Sequence, residues 1–93
     1  MGTAQRLLIS GRVQGVGYRA WAVRQATLLG LAGFVRNLGD GRVEAVVQGP
    51  EEPVRRFIEA CRHGPRLARV DGLEAAPTMA AGPLHGFREL PSA

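Results

Sequence analysis

A change of hydrophobic period, spread across three glycines, constrains this chain more than any other feature. Leu7, Ile9, Gly11 and Val13 alternate with Leu8, Ser10 and Arg12, the two-residue period of a strand with one buried face. From Tyr18 the spacing turns helical through Ala22, Ala26 and Leu29, and it stops at Gly30, which reads as a C-terminal cap. The junction is Gly11-Arg12-Val13-Gln14-Gly15-Val16-Gly17-Tyr18-Arg19. Glycines here let successive backbone N–H groups turn into one concavity, and the first turn of the helix adds unpaired donors and a partial positive charge. Such a segment can wrap an anion, and Arg19, just inside the helix, can grip phosphate with a planar fork of donors.

Five further elements follow. Phe34, Val35 and Arg36 lead to Asn37, and beyond Leu38-Gly39-Asp40-Gly41 the residues Val43, Ala45 and Val47 alternate with Arg42, Glu44 and Gln48. Asp-Gly between two strand-like runs predicts a hairpin. Gly49-Pro50 is expected to break the third strand. A second helix then opens on Glu51 and Glu52, buries Val54, Phe57, Ile58 and Cys61 at i, i+3, i+4 and i+7, and ends at Gly64-Pro65. Ala68, Val70 and Gly72 alternate with Arg69 and Asp71 as a fourth strand, residues 77–83 read as loop, and a short fifth strand is expected near Phe87 to Leu90.

This order, βαββαβ, is the split βαβ pattern of a ferredoxin-like two-layer α+β sandwich, in which two helices cover one face of an antiparallel sheet. Right-handed crossovers make the first two strands parallel, with the third between them. Their C-terminal ends then share one edge of the sheet, so Arg19 and the glycine loop at the end of the first strand face Asn37 at the end of the second.

At 93 residues the chain is expected to be a single domain. Its one cysteine, Cys61, excludes an internal disulfide and a multi-cysteine metal site and is compatible with a reducing compartment. The N-terminus shows no signal-peptide core and no apolar run approaches bilayer length, so a cytoplasmic, unprocessed protein without membrane contact is expected. All twelve basic residues are arginine, and the formal charge is +4. That charge favours anionic partners and by itself would suit a nucleic-acid binder. The abundance of alanine, glycine and leucine makes a compositional bias a sufficient reason for the missing lysines. His63 and His85 pair with no Cys, Asp or Glu at ligand spacing, and no metal or other cofactor is expected. Gly15-Val16-Gly17 lacks the lysine and hydroxyl of a P-loop, and Ala20 stands where a dinucleotide fingerprint would need a further glycine.

Three motifs in order resemble the acylphosphatase family: Gly11 through Arg19, Leu29-Gly30-Leu31-Ala32-Gly33-Phe34-Val35-Arg36-Asn37, and Gly41 through Val47-Gln48-Gly49-Pro50. The resemblance continues more loosely to about Leu73. It implies hydrolysis of the carboxyl–phosphate anhydride of acyl phosphates, without metal or covalent intermediate, on a ferredoxin-like fold. It matches Arg19 to the family's phosphate-binding arginine and Asn37 to its water-orienting asparagine, with backbone N–H groups of Gln14, Gly15, Val16, Gly17 and Tyr18 on the phosphoryl oxygens. An amide cannot accept a proton at neutral pH, so Asn37 would fix the water while its proton passes to a substrate phosphate oxygen. The expected partners are an acyl phosphate and inorganic phosphate, with no nucleic acid, and the expected state is a monomer.

Two other readings share the pattern. One is a catalytically silent regulatory domain. The other is a basic RNA-binding module, which would carry exposed aromatics on its central strands, whereas residues 42–48 hold none.

Overall fold

The chain builds β1 (Gly2–Arg12), α1 (Tyr18–Leu28), β2 (Ala32–Asn37), β3 (Val43–Pro50), α2 (Glu51–His63), β4 (Arg69–Pro77) and β5 (Phe87–Glu89). The structure is a computed structural model describing residues 2–79 and 85–93. The five strands form one sheet in the order β4-β1-β3-β2-β5. β3 runs antiparallel to both β1 and β2, so those two are parallel and end at the same edge, as right-handed crossovers require. β5 pairs parallel with β2. The sheet is therefore mixed rather than wholly antiparallel, because the chain returns to the far edge and enters beside β2 in the same direction.

Alternation decides what is buried. Leu7 and Ile9 of β1, Val35 of β2, and Val43, Ala45 and Val47 of β3 lie beneath Tyr18, Ala22 and Ala26 of α1 and Val54, Phe57 and Cys61 of α2. Phe57 is fully buried and meets Phe87 of β5 at 5.4 Å between ring centres. Burial of a side chain of that size contributes about 1.5–3 kcal/mol. α1 closes as expected at Gly30, where Gly30 N–H donates to Thr27 O at 3.1 Å and Leu31 N–H to Ala26 O at 2.9 Å. This paired pattern satisfies carbonyls the helix would otherwise leave open.

Three strand boundaries differ from the sequence expectation. β1 begins at Gly2 and pairs there with Pro50, so Gly49 and Pro50 finish β3 instead of breaking it. Pro77, read as loop, is the last residue of β4, opposite Gln5. β4 is an edge strand, where a proline without a backbone donor is tolerated. Of the remainder read as loop, Thr78 and Met79 follow β4, and residues 80–83 lie outside the described residues.

Candidate active site

The glycine loop is fixed at both ends and open in its middle. Between Ser10 and Gly11 the β1–β4 register slips, a bulge that bends the strand just ahead of the loop. Gly11 has φ +122°, and a β-carbon there would fall 2.2 Å from Arg69 O, so no larger residue fits. Val13 and Tyr18 are buried, each 1% exposed, and pin the two sides of the loop into the core. The Tyr18 hydroxyl donates to Cys61 O at 2.6 Å, and its ring meets that of Trp21 at 5.3 Å, so the start of α1 is locked to the end of α2. Burial pushes the Tyr18 phenol far above its ordinary range. Between these pins, Gly15 and Gly17 are exposed with φ of +74° and +80°, and a β-carbon on either would meet nothing within 4 Å. Gly17 is the N-cap of α1, no side chain caps the helix, and its first turn holds no acidic residue. Its leading N–H groups and the positive end of its dipole therefore have no side-chain cap and no acidic partner from the helix's own first turn.

The Gln14 side chain ties this loop to the β2–β3 hairpin: Nε2 donates to Leu38 O and to Arg42 O, each at 2.9 Å. The hairpin itself is closed by Leu38 N–H on Arg42 O at 2.8 Å. Asp40 accepts from Arg42 N at 3.0 Å and from Arg42 Nε at 2.9 Å. The Arg42 guanidinium, reinforced by its backbone N–H, holds the Asp40 carboxyl below the usual carboxylate range.

Asn37 is the last residue of β2, immediately before Leu38. Its side-chain Oδ1 is buried and has no hydrogen-bond partner among the described residues, while its main-chain carbonyl accepts from Ala93 N at 2.9 Å. Arg19, in the first turn of α1, reaches the end of β5 and the residue after it. Its Nη1 donates to Leu90 O at 3.3 Å and its Nε lies 3.5 Å from Glu89 Oε1. Leu90 N–H in turn bonds Val35 O at 2.9 Å. The loop is thus joined to the residue after Asn37, and Arg19 to a segment hydrogen-bonded along β2; no direct bond links Arg19 with Asn37. The Gln14 side chain and the Glu89–Leu90 pair are the contributors that local sequence pattern did not reveal, since every partner comes from a distant element.

Other titratable groups stand apart. Cys61 is buried among α2's core residues, and burial pushes its thiol up to about 12. His63, in the last turn of α2, sits 3.7 Å from Glu59, and His85 is exposed ahead of β5. Among the described residues no three of His, Cys, Asp and Glu gather at metal-binding range, and no helix is long and apolar enough to cross a membrane. On the helix-free face of the sheet, β3 presents Glu44, Val46 and Gln48, none of them aromatic.

Order, register and layering place the chain among ferredoxin-like α+β sandwiches. A family model described as acylphosphatase matches residues 5–89. The acylphosphatase of Azorhizobium caulinodans is 54% identical over 82 residues, covering 88% of each chain. That of Rhodospirillum rubrum is 55% identical over 84 residues, covering 90% of this chain and 91% of the other. The crystal structure of an acylphosphatase from Bacillus subtilis superimposes with a TM-score of 0.90 at 34% identity, over 97% of this chain and 99% of that one. The chain belongs to the acylphosphatase family.

Proposed function

We propose that the protein is an acylphosphatase, hydrolysing the carboxyl–phosphate anhydride of acyl phosphates to carboxylate and inorganic phosphate, with Arg19 and Asn37 as its catalytic residues. The observation that carries the site assignment is the Gln14 clasp, which holds an uncapped, glycine-lined helix start against the hairpin that begins beside Asn37. Backbone N–H groups of residues 14–18 and the Arg19 guanidinium bind the phosphoryl oxygens. The Asn37 carboxamide hydrogen-bonds the attacking water and fixes it in line. Water oxygen bonds to phosphorus as the bond to the acyl oxygen breaks. The carboxylate departs with that electron pair, and the water's proton passes to a phosphate oxygen. An acyl phosphate has a good leaving group and a loose transition state, so positioning and charge stabilisation supply the catalysis and no strong base is needed.

The chain acts as one acylphosphatase-like domain, a cytoplasmic monomer with no nucleic-acid partner. Ultraviolet monitoring of benzoyl phosphate hydrolysis, with a chelator present, tests the activity and both residues. Arg19→Ala loses turnover and competitive inhibition by inorganic phosphate together. Asn37→Ala loses on the order of 100- to 1,000-fold in rate, the cost typical of one well-placed donor or orienting group, yet still binds phosphate. Near-native rates in either variant remove that residue from the mechanism. Salt-sensitive RNA binding without hydrolysis would replace the whole reading.

A further inference from the structure

We propose that Glu89 is a positioning residue for Arg19, holding the guanidinium on station and offsetting part of its charge until a phosphoryl group arrives. The proposal rests on the reading of Arg19 as the phosphate ligand. A cation in the first turn of a helix is opposed by the helix dipole, and α1 carries no acidic residue there to compensate. The compensation comes from across the fold: Glu89 Oε1 lies 3.5 Å from Arg19 Nε, and Leu90 O accepts from Nη1 at 3.3 Å. Nη2 donates to no acceptor among the described residues, so two edges of the guanidinium are restrained and a third is left for an anion.

The restraint is anchored in the sheet. Phe87 packs on Phe57, and strand alternation puts Glu89 on the same helix-facing side of β5. Main-chain bonds from Leu90 N to Val35 O and from Ala93 N to Asn37 O, both 2.9 Å, fasten the segment beside β2. One stretch of backbone therefore borders both Arg19 and Asn37. A phosphoryl group on Arg19 shares the guanidinium with a carboxylate of like charge. Side-chain exposures of 30% for Arg19 and 43% for Glu89 keep that competition modest.

The measurements are the inhibition constant of inorganic phosphate and the kcat and KM of benzoyl phosphate, at low and high salt, in the full chain and its variants. In Glu89→Gln the phosphate constant falls about two- to fivefold at low salt, the range of a partly exposed ion pair. The gap closes at high salt through screening, and kcat falls while KM falls too. Glu89→Asp keeps the charge and leaves the phosphate constant near native. An unchanged constant in Glu89→Gln, or an equal change in both variants, overturns the proposal. Phosphate inhibition that survives Arg19→Ala instead overturns the underlying assignment of Arg19, a separate failure visible in the same assay.

Discussion

The Gln14 carboxamide commits its nitrogen to carbonyls on both sides of the opposing hairpin, Leu38 and Arg42. Removing it leaves Leu38 O without that donor and frees the loop from the hairpin. Gln14→Ala is expected to lower stability by about 1–2 kcal/mol, the usual cost of a lost, partly buried hydrogen-bonding group. Phosphate inhibition should weaken on the order of tenfold as the loop loses its geometry. Urea midpoints and the phosphate inhibition constant check the two effects separately, and an unchanged inhibition constant would show that the loop keeps its shape unaided. Arg19, Asn37 and the glycines stand out as candidates because the segments that hold them resemble the acylphosphatase motifs; spacing alone would leave Asn37 a turn former ahead of the hairpin. The side-chain role of Gln14 was not legible: its acceptors lie 24 and 28 residues away, and neither periodicity nor turn chemistry reports such a contact. Glu89 was hidden for the same reason, standing in a short strand whose neighbour is α1.

Among the elements, β3 is fixed on its helix-free face by charge. Glu44 is 4% exposed and takes Arg6 Nε from β1 and Arg36 Nε from β2, each at 2.6 Å. Burial pushes the Glu44 carboxyl up, but hydrogen bonds and charge from Arg36 and Arg6 outweigh it and hold the group below its ordinary value of 4.5. A carboxylate depressed on folding stabilises the protein above its unfolded value, and that contribution is lost as pH falls through the folded one. Glu44→Gln should therefore be less stable at pH 7 by about 1–2 kcal/mol, since its arginine partners are half-exposed. The gap should shrink progressively below pH 4.5. Urea unfolding of both proteins between pH 7 and pH 3 checks this, and a gap independent of pH would assign the loss to packing. The order of elements was readable from hydrophobic period and from turn residues. The extents of β1, β3 and β4 were not, because Gly49, Pro50 and Pro77 carry local breaking signals that remote ladder partners override: Thr3 and Gly2 for the first two, Gln5 for the third. The parallel entry of β5 escaped for the same reason, since direction is set by the strand it meets.

At the level of the whole molecule, the sheet joins distant parts of the chain. β1 pairs with β3 on one side and β4 on the other, and β5 closes against β2. Loop closure on that scale precedes any reward from burial, so folding should take milliseconds to seconds, slower than a helical bundle of this size. Loss of far-ultraviolet dichroism and of Trp21 fluorescence should coincide in one transition, since Trp21 packs against the common core. Separate midpoints would show that part of the sheet stands alone. Strand order also bears on biosynthesis. β1 leaves the ribosome long before β4 is translated, so a nascent chain halted ahead of residue 69 still presents the outer rim of β1, from Gln5 to Arg12, with its ladder groups unpaired. In that interval β1 is adhesive toward any other extended peptide, and the time taken to translate α2 and β4 sets how long chaperones have to shield it.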